Sequence, residues 1–170
     1  MNLAKSIFTS MFITLVTWGS VAAQEQPKAK PNTTGTAKVE LHYISVLQKR
    51  ADLNRIELIW KEAYEKLESV SEDNLSTIIV VYKDLSQDFA AADITIGYQS
   101  NTAAKGEKST IELSHSKQVL LNKGSHDKSA IENAWNDIDY RREIEVIIET
   151  HDLNQHGLPD SNSLTVYYKD

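Results

Sequence analysis

Cysteine is absent from this chain of 170 residues, which excludes a disulfide framework, thiolate metal ligands and a thiol nucleophile. Stability must therefore come from a packed core. Proline and glycine are scarce, at 3 and 6 residues, so the bulk of the chain is neither collagen-like nor a low-complexity linker. Basic charge is also short: 18 Lys and Arg stand against 24 Asp and Glu, for a formal net charge of -6. That balance speaks against a phosphate-backbone partner, so no nucleic acid is expected. No Gly-x-Ser-x-Gly elbow occurs, and the 5 histidines show no paired ligand spacing, so neither serine-nucleophile catalysis nor a metal or other cofactor is expected.

What is present begins with a short basic start at Lys5, an apolar run over residues 7–18 and small residues at Val21-Ala22-Ala23. The run is broken by Thr9, Ser10, Thr14 and Thr17 and falls short of the roughly 20 residues of a spanning helix. Residues 1–23 therefore read as a secretory signal peptide, with a periplasmic or secreted location and no membrane attachment after cleavage. Residues 24–37 carry two of the prolines and almost nothing apolar, and read as a flexible linker. Residues 38–170 are then a single domain.

Within that domain the hydrophobic period changes repeatedly. Residues 39–47 alternate loosely as a strand; in residues 53–69, Ile56, Ile59, Trp60, Ala63 and Leu67 form one helical stripe. Residues 76–82 are a β-branched run suited to a strand buried on both faces, and residues 93–98 alternate as another. The order then returns. Ile111-Glu112-Leu113 echoes Val39-Glu40-Leu41, and residues 117–122 form a strand. A helix over 129–139 presents Ile131, Ala134, Trp135 and Ile138, and strands follow over 143–150 and 163–168. Asp152-Leu153-Asn154-Gln155 mirrors Asp84-Leu85-Ser86-Gln87. The expected fold is α+β: duplicated strand-helix-strand-strand modules forming one antiparallel sheet, two helices on one face, an open groove on the other.

The segment from Arg141 to Thr150 is where chemistry is expected. Alternation places Ile144, Val146 and Ile148 on one face and Glu143, Glu145, Ile147 and Glu149 on the other. Aligned on the two Asp-Leu-polar-Gln turns, Thr77 stands where the second copy has Glu145, so only one half carries the acid. Glu145 is thus a candidate counter-charge in the groove, beside Ile147. Alternation of the last strand adds Tyr167 to the groove side, and His42 is a further candidate in the first strand.

This pattern resembles the gyrase-inhibitor-like effector-binding domain, related to the SOUL haem-binding proteins. The resemblance covers residues 39–168 and rests on Gln118-Val119-Leu120-Leu121-Asn122-Lys123-Gly124, Ile144-Glu145-Val146-Ile147 and Asp93-Ile94-Thr95-Ile96-Gly97. Ile144 and Ile147 stand where that family has aromatic residues. The resemblance implies a groove for lipophilic, often cationic molecules, with the strand glutamate, here Glu145, as counter-charge. The expected function is an exported small-molecule-binding domain. The alternatives are a protein-interaction module using the curved sheet, or a hydrolase in which Glu145 and Tyr167 act as base and orienting donor.

Overall fold

The computed structural model describes residues 39–70, 75–99 and 108–169. The signal-peptide and linker expectations, over 1–23 and 24–37, lie outside the described residues. Strand β1 runs Val39–Asp52, longer than its apolar pattern suggests, because from Ile44 onward it pairs with β3 (Ala91–Gln99) from Tyr98 back to Ala91. A 3-10 turn, Leu53–Arg55, leads into helix α1, Ile56–Leu67; the Asp52 carboxylate accepts from the Asn54 N–H at 2.8 Å and secures the turn. The remaining elements are β2 (Thr77–Lys83), β4 (Lys108–Leu113), β5 (Lys117–Gly124), α2 (Lys128–Asn136), β6 (Ile144–Leu153) and β7 (Pro159–Tyr168). Asp127 caps α2, accepting from the Ala130 N–H at 2.8 Å.

Among the described residues, seven strands form one antiparallel sheet in the order β4-β1-β3-β2-β6-β7-β5, which with two helices makes the fold α+β. Consecutive strands β4 and β5 occupy opposite edges yet are joined by residues 114–116 alone. A flat sheet of this width would separate its edge strands by roughly 29 Å, and so short a link spans about 14 Å at most. The sheet must curl. Ser114 Oγ, next to β4, donates to the Tyr168 carbonyl at 2.7 Å, and the Tyr168 N–H donates to the Ser116 carbonyl at 2.8 Å. These bonds tie the link to the end of β7.

Two cores result, one on each face. Both helices cover the same face: Ile59, Trp60, Leu67, Ala134 and Ile138 pack with Ile78, Val80, Ile94, Ile96 and Leu164 of the sheet. On the helix-free face, curling brings Ile111 and Leu113 of β4 against Ile79 and Val81 of β2 and Val146 and Ile148 of β6. Ile79, Val81 and Val146 are 1, 1 and 0 % exposed. Over these strands the expected open groove is therefore replaced by a second core. Gly97 belongs to it: a Cβ there would lie 2.4 Å from the Ile44 carbonyl oxygen and 2.6 Å from the Tyr43 ring, so only glycine lets that ring lie on the sheet.

The echo between Val39-Glu40-Leu41 and Ile111-Glu112-Leu113 has a different meaning from the expected one. The two segments pair directly, Val39 with Leu113, Glu40 with Glu112 and Leu41 with Ile111. Similar patterns arise because neighbouring strands share the same faces. In the strand order, the position that β1 holds beside β3 is held beside β7 by β5.

Candidate functional site

A β-bulge determines how β6 presents its side chains. Ile144 lies opposite Tyr168 and Val146 opposite Tyr167, so Glu145 is the extra residue between them. Ile144 thereby joins the helix side with Tyr168, and Val146 the helix-free side with Tyr167. Strict alternation would have kept Ile144 and Val146 together. Beyond the bulge, Ile148 faces the second core, whereas Ile147, Glu149 and His151 face the helices.

The four residues singled out from the sequence are not brought together. Glu145 is half-buried at the bulge, where its Oε2 accepts from the Ser114 N–H at 3.3 Å. Tyr167 packs at the margin of the helix-free core. Ile147 is fully buried on the opposite face, beneath the helices, which corrects its expected place in a groove with Tyr167. His42 is exposed beside β4, with Nδ1 2.9 Å from Thr110 Oγ1 and Nε2 3.4 Å from Glu40.

A different carboxylate of β6 is buried and partnered. Glu149, at the centre of β6, is 6 % exposed and His151, two residues on, 7 %. Isolated carboxylates are rarely buried to this degree, because the desolvation cost is several kcal/mol unless partners offset it. Tyr82 of β2 supplies one partner: its hydroxyl donates to Glu149 Oε2 at 2.9 Å. His151 Nε2 lies 2.8 Å from Glu149 Oε1, an ion-pair distance, although its direction is not that of a hydrogen bond and no hydrogen-bond partner meets it among the described residues. Burial pushes the Glu149 carboxyl up; the charge of a protonated His151 and the contacts from His151 and Tyr82 outweigh it and hold the carboxyl below its ordinary value. The Tyr82 hydroxyl is driven well above the usual phenol range by burial and by the Glu149 charge it serves, so it remains a donor. Tyr64 is raised in the same sense, by burial first and by Glu149 second.

Aromatic residues from both helices close over this group. Trp60 of α1 meets the His151 ring edge-on, centroids 5.2 Å apart, and stacks with Tyr64 at 5.3 Å. Trp135 of α2 meets the Tyr82 ring edge-on at 5.0 Å. Each tryptophan thus reaches a strand belonging to the other half of the chain. The helices rest on the flanks of the sheet, α1 against β1 and α2 against β5, leaving the central pair β2 and β6 between them. The carboxylate is thus met by a phenol and an imidazole, and each of those rings is met edge-on by an indole.

Among the described residues no cluster of three or more His, Asp or Glu could hold a metal ion, and no helix is long and apolar enough to cross a membrane. No family model, curated protein or solved structure matches the chain. The sequence did carry a signal for the buried site. Glu149 and His151 alternate in Ile-Ile-Glu-Thr-His, so both share a face with the buried Ile147. Tyr82 ends a run that reads as buried on both sides, where a phenol needs a partner.

Proposed function

We propose that this chain is a small-molecule-binding module for lipophilic cations, held between the two helices with Glu149 as counter-charge. The observation that carries the reading is a carboxylate buried at the centre of the sheet, bonded to Tyr82 and paired with His151, whose rings in turn meet Trp135 and Trp60. The aromatic rings supply affinity for a hydrophobic body, and the carboxylate selects positive charge in a setting where water screens it little. The role that the gyrase-inhibitor-like resemblance gives to Glu145 passes to Glu149, four residues along the same strand. The leader-like residues 1–23 support an exported protein, periplasmic or secreted.

The same reading includes a duplicated strand-helix-strand-strand module. It is supported by the palindromic order β1-β3-β2 against β6-β7-β5 and by the reciprocal contacts of the two tryptophans. The Asp84 and Asp152 alignment pairs Tyr82 with Thr150, which face opposite sides of the sheet. A shift of one residue pairs Tyr82 with His151 and restores the faces. A protein-interaction role is the second reading, favoured by the exposed Phe89 and Tyr140 rings, which contact one another at 4.4 Å between the β2–β3 turn and the exit of α2.

Calorimetric titration with hydrophobic cations and neutral analogues of equal size tests the first reading. Wild type should prefer the cations, and Glu149→Gln should weaken cation binding by roughly 1 to 3 kcal/mol while leaving the neutral analogues unchanged. Equal affinity for both classes, unaltered by the substitution, would overturn it.

A further inference from the structure

Among the described residues, two buried polar atoms near Glu149 have no hydrogen-bond partner: Nε2 of His151, which is held instead by its ion pair with Glu149, and Oδ1 of Asn162. They are neighbours. His151 on β6 lies directly opposite Asn162 on β7, so the two side chains leave the same face of the sheet, with Cβ atoms roughly 5 Å apart. Glu149 is opposite Leu164, which makes Asn162 its diagonal neighbour across the strand pair, at about 7 Å. The orientation of the Asn162 amide is set from outside: its Nδ2 donates to the His126 carbonyl at 3.4 Å, in the loop ahead of α2. The carbonyl end is therefore the one left buried and unmatched.

An amide oxygen accepts hydrogen bonds and cannot donate them, and the same is true of a carboxylate. His151 Nε2, ion-paired with Glu149 Oε1 at 2.8 Å, adds no further acceptor. A ligand whose positive charge is fully alkylated offers nothing to these atoms. A ligand with N–H bonds offers a match for each, because the hydrogens of one ammonium nitrogen diverge toward separate acceptors. We infer that the cation recognised here is a primary or secondary ammonium, and that Asn162 Oδ1 is the specificity-determining acceptor beside Glu149. This inference rests on the cation-binding reading above and narrows it to amines that carry hydrogen-bond donors. It follows from the general asymmetry of polar recognition: a site built to bond a donor rejects an analogue lacking it far more strongly than an apolar pocket rejects an extra methyl group.

Three probes of common length decide it by titration against the full chain: 4-phenylbutylammonium, its N,N,N-trimethyl counterpart and neutral 4-phenylbutanol. The primary ammonium should bind at least about tenfold more tightly than the trimethyl compound. Asn162→Leu, which removes the acceptor and keeps the bulk, should reduce that preference about tenfold and leave trimethylammonium binding unchanged. Asn162→Asp retains an acceptor and should retain the preference, so the assignment stays testable if the leucine variant does not fold. A preference that survives in Asn162→Leu would overturn the assignment, since bulk alone would then explain it. Equal binding of both cations, each lost in Glu149→Gln, would overturn the role of Asn162 and leave the cation site standing. Binding of 4-phenylbutanol as tight as that of both cations, or binding of none of the three, would overturn the site and the assignment together.

Discussion

Replacing Tyr82 with Phe isolates the bond that makes a buried Glu149 tolerable. The ring and its contact with Trp135 are retained, so no cavity larger than a hydroxyl group appears. What is lost is a 2.9 Å hydrogen bond to a carboxylate in a site where Tyr82 is 3 % exposed. Bonds to charged groups contribute about 1.5 to 3 kcal/mol, against about 0.5 to 1.5 for neutral pairs. At pH 7 the variant should be less stable by the larger amount, a fall in Tm of roughly 4 °C per kcal/mol for a domain of this size. The pH dependence has a fixed sign. Glu149 is held below its ordinary value in the folded protein, so its contribution is present above the unfolded carboxyl range and is lost as pH falls through the lower folded value. Losing the Tyr82 bond raises the folded value, and the stability gap between wild type and variant should shrink toward the neutral-pair range in acid. Urea unfolding of both proteins at pH 7 and pH 3 measures the two gaps. A loss under about 0.5 kcal/mol at pH 7, or one that is undiminished at pH 3, would refute the ionised-carboxylate account.

Ile78 and Ile79 are adjacent, point to opposite faces and are each 1 % exposed. Each replaced by Ala should cost about 2 to 5 kcal/mol in chemical denaturation, and a cost below about 1 for Ile79 alone would mean that the helix-free face is not a core. Gly97→Ala should destabilise by about 1 to 3 kcal/mol, because the new methyl group meets the backbone oxygen of Ile44 rather than a side chain that can move; unchanged thermal stability would contradict that contact. Asp152→Ala strands the hydroxyls of Thr77 and Ser161, which donate to it at 2.8 and 2.7 Å, and frees Lys123. It should cost about 1 to 3 kcal/mol, read by denaturant midpoint, and a change within about 0.5 would mark the network as inert.

Element type was legible from the sequence because the period of its apolar residues changes where the structure changes. The stripe from Ile59 to Leu67 required a helix, and the run from Ile78 to Tyr82 had no polar face to offer water. What alternation leaves open is which face of a strand is which, and a bulge resets even that. One extra residue at Glu145 sends Ile144 to the helices and Val146 to the other core, a shift no periodicity within β6 announces, since it depends on how Tyr167 and Tyr168 pair from β7. Which face of the sheet is wet stays open for a related reason. An acid on a strand reads as the wet face by default, so alternation alone puts Glu145 and Glu149 together on the open side. The three-residue link between the edge strands instead curls the sheet and gives the helix-free side to Ile111, Leu113 and their apolar partners. With both faces buried, a carboxylate at the centre of β6 has no wet face to take. It must lie under one layer or the other, and it lies where Tyr82 of the neighbouring strand and His151 of its own can meet it. The burial of Glu149 is thus a consequence of sheet closure, and Tyr82 and His151 are the partners that closure makes necessary.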